Sequence, residues 1–305
     1  MRVIIIGLGS IASKHINALR SINASVEIFA LRSSQSNQVE GVTNIFDWKE
    51  IPADIHFVLI SNPSSEHYQT IWKACELGVP LFIEKPALIN LDKTDDLFGR
   101  IAEFKTSTYV AFNFRFHPAI LWLKNNLDIS SVLEVQSYCG SYLPSWRPTQ
   151  DYRQNYSAKA ELGGGVHLDL THEMDYITWL FGHPKSWYGS LSKVSDLEIS
   201  SIDSAHYWLS YEKMNASITL NYFRRNPKRV IEIVTKDTTI TVNLLTSTIT
   251  DANSNILFKS DIPNVATYTE QMRYFIDAID NKKPMMNSLE ESLETLKICL
   301  TNASK

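Results

Sequence analysis

A glycine-led segment in the middle of the chain, GGGVHLDLTHEMDY, holds the densest set of side chains that could do chemistry. Asp169, His172 and Asp175 recur every three residues, which on one helix places each about 60° round from the last. A neighbouring carboxylate orients an imidazole and raises its pKa, which suits proton transfer near neutral pH. The spacing therefore predicts an acid/base site, and the alternative interpretation is a hydrogen-bond network without chemistry.

The same segment lacks the spacing of a metal site. A zinc helix of the His-Glu-x-x-His type would need a histidine where Tyr176 stands. His167 and His172 are five residues apart, which on a helix separates them by roughly 140°. We therefore expect no metal here.

A glycine turn near the start of the chain lies between an apolar run and a helical pattern. Gly7, Gly9 and Ala12 form G-x-G-x-x-A within RVIIIGLGSIASKH. The first glycine permits a tight turn, the second lets the backbone approach a diphosphate, and the small third residue lets helix and strand pack closely. In this strand–turn–helix context the motif predicts a dinucleotide site, the alternative being a tight turn without a ligand.

The end of the second predicted strand bears on which dinucleotide is bound. An acidic residue there would hydrogen-bond the ribose hydroxyls of NAD, but this strand ends with Arg32, followed by Ser33 and Ser34. A guanidinium can make a two-point contact with the 2′-phosphate of NADP. The sequence therefore favours NADP over NAD, and the alternative is a solvated surface arginine.

A lysine stands at the end of another predicted strand. Residues 81–86 read LFIEKP, so Glu84 and Lys85 follow a buried apolar run that Pro86 terminates. Ligands of parallel sheets bind at this end of the strands. A lysine there can hold a hydroxyl or carbonyl oxygen, and the alternative is a surface salt bridge.

Aromatic and basic residues cluster in LPSWRPTQDYRQNYSAKAEL, just before the glycine-led segment. Arginines pair with carboxylates or phosphates, and sugars stack on aromatic faces. The cluster predicts recognition of an anionic sugar, a sugar phosphate or a nucleotide sugar, or else it orders a long loop. Its members are Trp146, Arg147, Tyr152, Arg153 and Tyr156.

The elements that must position these residues fall into two patterns. Strands alternate with helices over residues 1–115, which predicts a parallel doubly wound sheet covered on both faces. From residue 132 several strands follow one another, which predicts an α+β domain over 116–305 with a large, predominantly antiparallel open sheet. We expect 163–180 to be the main helix of this second domain, and the last helix, at 289–302, to pack back on the first.

Composition excludes several classes of protein. With 29 basic and 33 acidic residues the formal net charge is −4, so we expect no nucleic-acid partner. The three cysteines are widely spaced and form neither a metal pattern nor a disulfide framework, which favours a reduced, cytoplasmic setting. No apolar run is long enough to predict a membrane segment.

These motifs resemble, in order, those of the glucose–fructose oxidoreductase, inositol dehydrogenase and MocA-like (Gfo/Idh/MocA) family. They are GLGSIASKH, SNPSSEHYQTIWKACELGVPLFIEKP, FNFRFHP, GGGVHLDLTHEMDYITWLFG and PMMNSLEESLETLKIC, spread over the whole chain. The resemblance implies a Rossmann domain and hydride transfer between NAD(P) and a sugar-type secondary alcohol or ketone. It also implies a homodimer or homotetramer formed through the C-terminal sheet.

The resemblance further implies roles for residues. Lys85, Asp169 and His172 would assist hydride transfer, although the aspartate–histidine spacing is one residue shorter here than in many members. Asp175 would be structural. The cofactor would contact Gly7, Gly9, Ser10, Ile11, Ala12, Arg32, Ser33, Asn62, Pro63, His67, Glu84 and Lys85. The substrate would contact Arg115, Trp146, Arg147, Tyr152, Arg153, Tyr156 and His172.

Three functions remain open at this point. A branch of the family with a similar WRP…DYR…YSA stretch is linked to bacterial surface sugars, which favours a sugar dehydrogenase. A glycoside hydrolase that acts through transient NAD-dependent oxidation is the second. A non-catalytic dinucleotide-sensing protein is the third, and the presence of Lys85 and His172 argues against it, because a sensor needs neither.

Overall fold

The structure, a computed structural model, describes residues 1–33 and 38–303, so Ser34 lies outside the described residues. The chain divides into two compact units. The first contains Met1–Asn113 and Asn264–Leu293, and the second contains Phe114–Pro263 and residues 294–303. Over the described ranges, no helix has both the length and the apolar character needed to cross a membrane.

Strands and helices alternate in the first unit, as the apolar runs and helical patterns predict. Within its described residues the six strands form one parallel sheet in the order β3–β2–β1–β4–β5–β6, the doubly wound topology expected. The elements are β1 (Arg2–Ile6), α1 (Ser10–Ile22), β2 (Glu27–Leu31), β3 (Val42–Ile45), β4 (Phe57–Ile60), α2 (His67–Ala74), β5 (Leu81–Glu84), α3 (Thr94–Phe104) and β6 (Thr108–Ala111).

The second unit is built on a sheet of eight described strands in the order β14–β13–β12–β11–β7–β10–β9–β8. Its neighbours pair antiparallel except β7 and β10, which pair parallel. The prediction of a predominantly antiparallel sheet is confirmed. The elements are α4 (Pro118–Asn126), β7 (Val132–Gly140), α5 (Val166–Asp169), α6 (Thr171–Phe181), β8 (Ser186–Ser192), β9 (Ser204–Ser210), β10 (Asn215–Asn221), β11 (Lys228–Thr235), β12 (Thr239–Asn243), β13 (Thr248–Thr250) and β14 (Ile256–Lys259).

Two further helices, α7 (Ala266–Asp280) and α8 (Leu289–Cys299), end the chain. Helix α7 is part of the first unit, where the ring of Phe275 lies 5.0 Å from that of Phe57 and 5.2 Å from that of Phe82. Burial of such aromatic rings is among the largest contributions to a core. Residues up to Leu293 group with the first unit and the later part of α8 with the second.

Candidate functional site

The glycine turn between β1 and α1 is closed against the end of β4. Gly7 has a φ of +88°, and a Cβ on it would lie 2.4 Å from the backbone nitrogen of Asn62. Only glycine fits at this position, since both the conformation and the space exclude a side chain. The hydroxyl of Ser61 donates to the Gly7 carbonyl at 2.8 Å and holds the turn in place.

Gly9 serves a different purpose from Gly7. It precedes α1 with a φ of −86°, and a Cβ built on it would meet nothing within 4 Å. The turn therefore leaves open space next to the first N–H groups of a helix, where the helix dipole favours an anion. Ser10 and Ile11 begin the helix beside this space, whereas Ala12 is fully buried and serves the packing of α1 on the sheet.

A cavity of about 490 Å³ opens beside this turn. Its lining includes five of the predicted cofactor residues and further side chains that sequence reasoning missed, of which Trp48 and Thr70 are two. The glycine turn, an arginine and a wall of small and aromatic groups fit a dinucleotide. The five predicted residues are Gly7, Arg32, Ser33, Asn62 and Pro63.

His67 contacts the backbone on both sides of its ring. Its ring is fully buried, with Nε2 3.0 Å from the Asn62 carbonyl oxygen and Nδ1 3.0 Å from that of Pro86. Burial lowers its pKa. Both ring nitrogens are turned to the backbone that flanks the cavity and Lys85, and contact of His67 with the cofactor stays a prediction.

Glu84 is likewise engaged within the protein. Its Oε1 lies 2.5 Å from Nε2 of His15, a fully buried side chain of α1, and its Oε2 accepts the backbone N–H of Lys85 at 3.1 Å. The structure therefore gives Glu84 the position of a link between α1 and the end of β5. Sequence reasoning missed His15, although a histidine on the apolar face of α1, beside Ile16, was the available signal.

The prediction of one continuous helix over 163–180 is wrong. Helices α5 and α6 are separated at Leu170, so Asp169 and His172 belong to different helices. Gly163 and Gly165 have positive φ values of +85° and +133°. A Cβ on Gly164 would lie 2.2 Å from the carbonyl oxygen of Tyr156. These glycines let the chain pass its own backbone, which is why the regular helix begins only at α5.

Asp169 is held by tyrosines. The carboxylate is buried, and its Oδ2 accepts a hydrogen bond from the hydroxyl of Tyr222 at 2.6 Å. Burial, and then the Asp169 charge, raise the pKa of Tyr156 well above its usual value. Tyr156 is 37% exposed as a whole, whereas its hydroxyl lies in a buried environment beside Asp169. Tyr222 is fully buried and was not anticipated from the sequence.

Two of the predicted substrate residues lie against this pair of tyrosines. The indole of Trp146 meets the Tyr222 ring edge-on at 5.3 Å and donates from Nε1 to the Ser141 hydroxyl at 2.8 Å. The guanidinium of Arg147 lies 5.9 Å from the centre of the Tyr156 ring. The structure thus groups Trp146, Arg147 and Tyr156 around Asp169.

Tyr152 and Arg153 belong instead to the ordering of the loop. The Tyr152 hydroxyl accepts the Glu198 backbone N–H at 3.2 Å, and Arg153 pairs with Asp151 at 2.9 Å and Glu198 at 3.0 Å. These ion pairs are largely exposed. The alternative interpretation, in which part of the cluster orders a long loop, therefore applies to these two residues.

His172 lies beside an aromatic ring on the first turn of α6. The Phe114 ring is 5.1 Å away at a tilt of 43°, and the guanidinium of Arg229 lies 3.5 Å from the centre of the same ring. Arg229 in turn pairs with the buried Glu173 at 2.6 Å. The histidine is 9% exposed, so its orientation is set by packing as well as by its polar contacts.

Arg115 lies against a buried carboxylate of α6. Its guanidinium is buried and makes a two-point contact with Asp175, from Nη2 at 2.6 Å and from Nε at 3.0 Å. The buried carboxylate of α6 balances the charge of Arg115, and contact of Arg115 with substrate stays a prediction. Asp175 was expected to be structural, and its geometry agrees.

No metal site is formed by the described residues. In residues 1–33 and 38–303, no group of three or more His, Cys, Asp or Glu side chains could hold a metal ion. His167, which could have been a ligand by residue type, is buried, and burial lowers its pKa to about 4.

Comparison with protein families gives two matches along the chain. The family model described as "Oxidoreductase family, NAD-binding Rossmann fold" matches residues 1–112. The model described as "GFO/IDH/MocA C-terminal domain" matches residues 128–241. The two models describe the N-terminal and C-terminal domains of one family, and they match this chain in that order.

Individual proteins are similar at a lower level. The chain is 25% identical to inositol 2-dehydrogenase from Rhizobium meliloti over 186 residues, which are 58% of this chain and 54% of that protein. The match thus spans about half the length of this curated relative. A solved levoglucosan dehydrogenase in complex with NADH is 17% identical with a TM-score of 0.85, over 98% of this chain and 95% of that one. UDP-N-acetylglucosamine 3-dehydrogenase from Acidithiobacillus ferrooxidans is 19% identical with a TM-score of 0.81 over the same shares.

Proposed function

We propose, because this chain belongs to the Gfo/Idh/MocA oxidoreductase family, that it is an NAD(P)-dependent oxidoreductase acting on a sugar-type secondary alcohol or its ketone. The observation that carries the proposal is the glycine turn at Gly7 and Gly9 next to a cavity of about 490 Å³ that Gly7 and Arg32 line. The buried Asp169 and His172 of the second unit supply the acid/base groups that such a reaction needs.

Each proposed catalytic residue has one task. When bound, the nicotinamide cofactor supplies a hydride acceptor or donor. His172 takes the hydroxyl proton during oxidation and returns it during reduction, and the Lys85 ammonium holds the substrate oxygen as its charge changes. Asp169 supplies a negative charge near the reacting group, and the Tyr222 hydroxyl fixes its carboxylate at 2.6 Å. Trp146, Arg147 and Tyr156 bind the sugar.

The preferred cofactor in this proposal is NADP. Arg32 follows β2 and lines the cavity with Ser33, at the place where an acidic residue would select NAD. A guanidinium there suits a 2′-phosphate. Inositol and nucleotide-sugar dehydrogenases among the relatives support a polyol or sugar substrate, and a role in surface-sugar biosynthesis is our more specific suggestion. We place the enzyme in the cytoplasm.

Fluorescence titration with NADH and NADPH tests the proposal first. We expect NADPH to bind more tightly, and Arg32→Gln to weaken NADPH about tenfold or more while leaving NADH binding unchanged. Arg20→Gln, which removes a charge from α1, is the matched control. Equal loss of both cofactors in Arg32→Gln would contradict the assignment of Arg32 to the 2′-phosphate, and binding of neither by the unaltered chain would overturn the function.

Turnover then tests the catalytic roles. A panel of inositols, hexoses and sugar nucleotides is screened for reduction of NADP⁺ or NAD⁺ by the purified chain. We expect His172→Ala to bind cofactor as tightly as the unaltered chain and to lose about 10²-fold or more in turnover. A variant that kept its turnover would remove His172 from the mechanism. A chain that binds cofactor and turns over none of the panel would favour the sensing protein.

A further inference from the structure

A cluster of cations follows β10, outside the residues assigned above. Arg224, Arg225 and Lys228 lie in FRRNPKR, between the end of β10 and the start of β11. Because β7 and β10 are parallel, their carboxyl ends at Gly140 and Asn221 meet at the same edge of the sheet. The loop after β7, which carries Trp146 and Arg147, therefore leaves the sheet at the same edge as the cluster.

Tyrosine rings hold these cations in place. The guanidinium of Arg225 lies 3.6 Å from the centre of the Tyr142 ring. The guanidinium of Arg224 and the ammonium of Lys228 lie 5.1 Å and 5.2 Å from the centre of the Tyr138 ring. A ring face attracts a cation without neutralising it, so the positive charge at this edge persists.

Carboxylates, by contrast, do not compensate the cluster. In residues 1–33 and 38–303, no carboxylate oxygen lies within 4.0 Å of the charged nitrogens of Arg224, Arg225 or Lys228. Elsewhere the usual partner of an arginine is an acid. Arginines with carboxylate partners are Arg2, Arg100, Arg115, Arg153, Arg229 and Arg273.

One donor of the cluster is also buried without a partner. The Nε of Arg224 is inaccessible to solvent and has no hydrogen-bond acceptor among the described residues. A charged donor in this state costs free energy that a bound oxyanion would recover. The Nη1 of the same side chain reaches only the Tyr138 hydroxyl, at 3.4 Å.

A series of contacts through Tyr222, Trp146 and Tyr142 connects the cluster to Asp169 in the second unit. Tyr222, whose hydroxyl binds Asp169, lies two residues before Arg224. Trp146 packs edge-on against Tyr222. On the same loop, the ring of Tyr142 contacts the Arg225 guanidinium. Asp169 is thus joined through Tyr222 and Trp146 to the loop that contacts the cluster.

We propose that Arg224, Arg225 and Lys228 bind a phosphate or diphosphate group of the substrate. The inference rests on the proposed function, since it names the substrate as a phosphorylated sugar or a sugar nucleotide whose sugar is presented to Asp169 and His172. Three cations that form no ion pair with a carboxylate of the described residues match a multiply charged oxyanion better than a neutral sugar. Arg153, which the loop pattern suggested for this task, is committed to Asp151 and Glu198.

Binding of inorganic pyrophosphate to the full chain tests the proposal, measured by titration calorimetry with saturating NADPH so that anion sites for the cofactor are already filled. The variant is Arg224→Gln with Arg225→Gln. Lys213→Gln is the control, because its exposed lysine lies in the turn at the opposite end of β10. We expect the double variant to bind pyrophosphate about tenfold or more weakly and the control to bind as the unaltered chain.

NADPH titration of the double variant separates the two proposals. Unchanged NADPH affinity with lost pyrophosphate affinity supports the oxyanion site. Equal pyrophosphate affinity in the double variant and the unaltered chain overturns it, while leaving the oxidoreductase proposal intact. A change in the oligomeric mass of the double variant in solution also overturns it, because the cations would then serve a contact between copies of the chain.

Discussion

The two carboxylates that follow His172 in the sequence, Glu173 and Asp175, are both paired with arginines. Glu173 pairs with Arg229 of β11, and Asp175 pairs with Arg115. Each pair lies where an unmatched charge would be costly, so these acids serve the placement of α6. Asp169, the carboxylate to which we assign chemistry in our proposal, stands on the preceding helix.

Removal of Asp175 should therefore destabilise the protein. Asp175→Ala removes the carboxylate that faces the buried Arg115 guanidinium, for which we expect a loss of about 3–5 kcal/mol in the free energy of unfolding. Urea denaturation followed by circular dichroism measures it. Arg153→Gln, which breaks exposed pairs, should leave the midpoint unchanged. A small effect of Asp175→Ala would show that water reaches Arg115 readily.

His167 should make the fold sensitive to acid. Burial lowers its pKa from 6.5 to about 4. As pH falls from 6.5 towards 4, the unfolded chain binds a proton that the folded chain excludes, so stability is lost over this window. The difference amounts to roughly 3 kcal/mol when fully expressed. His167→Gln should flatten the decline of the unfolding free energy between these pH values, and an unchanged slope would contradict the assignment.

At the scale of elements, the two glycines of the G-x-G turn before α1 are needed for different reasons. Gly7 is required by the fold, since its Cβ would collide with the backbone of Asn62. Gly9 is not, because its conformation suits any residue and the space beside it is open. The need for a glycine at the second position comes from a ligand that lies close to the backbone.

This difference predicts opposite effects of two alanine substitutions. Gly7→Ala should lose about 2–4 kcal/mol of stability through strain and collision. Gly9→Ala should unfold at nearly the same urea concentration but bind the nicotinamide cofactor about tenfold or more weakly. Chemical denaturation and NADPH titration of both variants are the measurements. Full cofactor affinity in Gly9→Ala would mean that the diphosphate does not approach this turn.

At the scale of the whole molecule, the sheet of the second unit has a face that its helices leave accessible. Tyr188 of β8 and Trp208 of β9 are paired neighbours in register and are 53% and 47% exposed. Residues 207 and 209, on the opposite side of β9, are buried. Large exposed aromatic side chains on a flat sheet are typical of an interface between subunits, which supports our proposal of a homodimer or homotetramer through this sheet.

Trp208→Glu tests that proposal. A charge at the centre of a subunit interface should dissociate it, so we expect the mass measured by light scattering after size exclusion to fall to that of one chain, 34.7 kDa. Val194→Glu is the control, because Val194 is exposed in the loop after β8. A mass that is the same for Trp208→Glu and the unaltered chain would move the interface to another surface.

The fold was predictable where a local rule dictates it. Apolar runs with glycine and helical patterns between them predicted the parallel sheet of the first unit, and Gly7 and Gly9 predicted its turn. The start of α5 at Val166, after three glycines, was not predictable from helical spacing, because the path of residues 163–165 depends on the carbonyls of the loop around Tyr156. Spacing alone also could not show that the Arg115 guanidinium forms an ion pair with Asp175.

The sequence by itself determined the residue types that a site needs and the positions where strands end, since both follow from periodicity and from the conformational limits of glycine and proline. Tertiary structure alone decided which of those residues are partners. It joined His15 to Glu84, Tyr222 to Asp169 and Tyr138 of β7 to Arg224 after β10. These contacts join residues far apart in the chain, and their distances are set by packing, which no local pattern encodes.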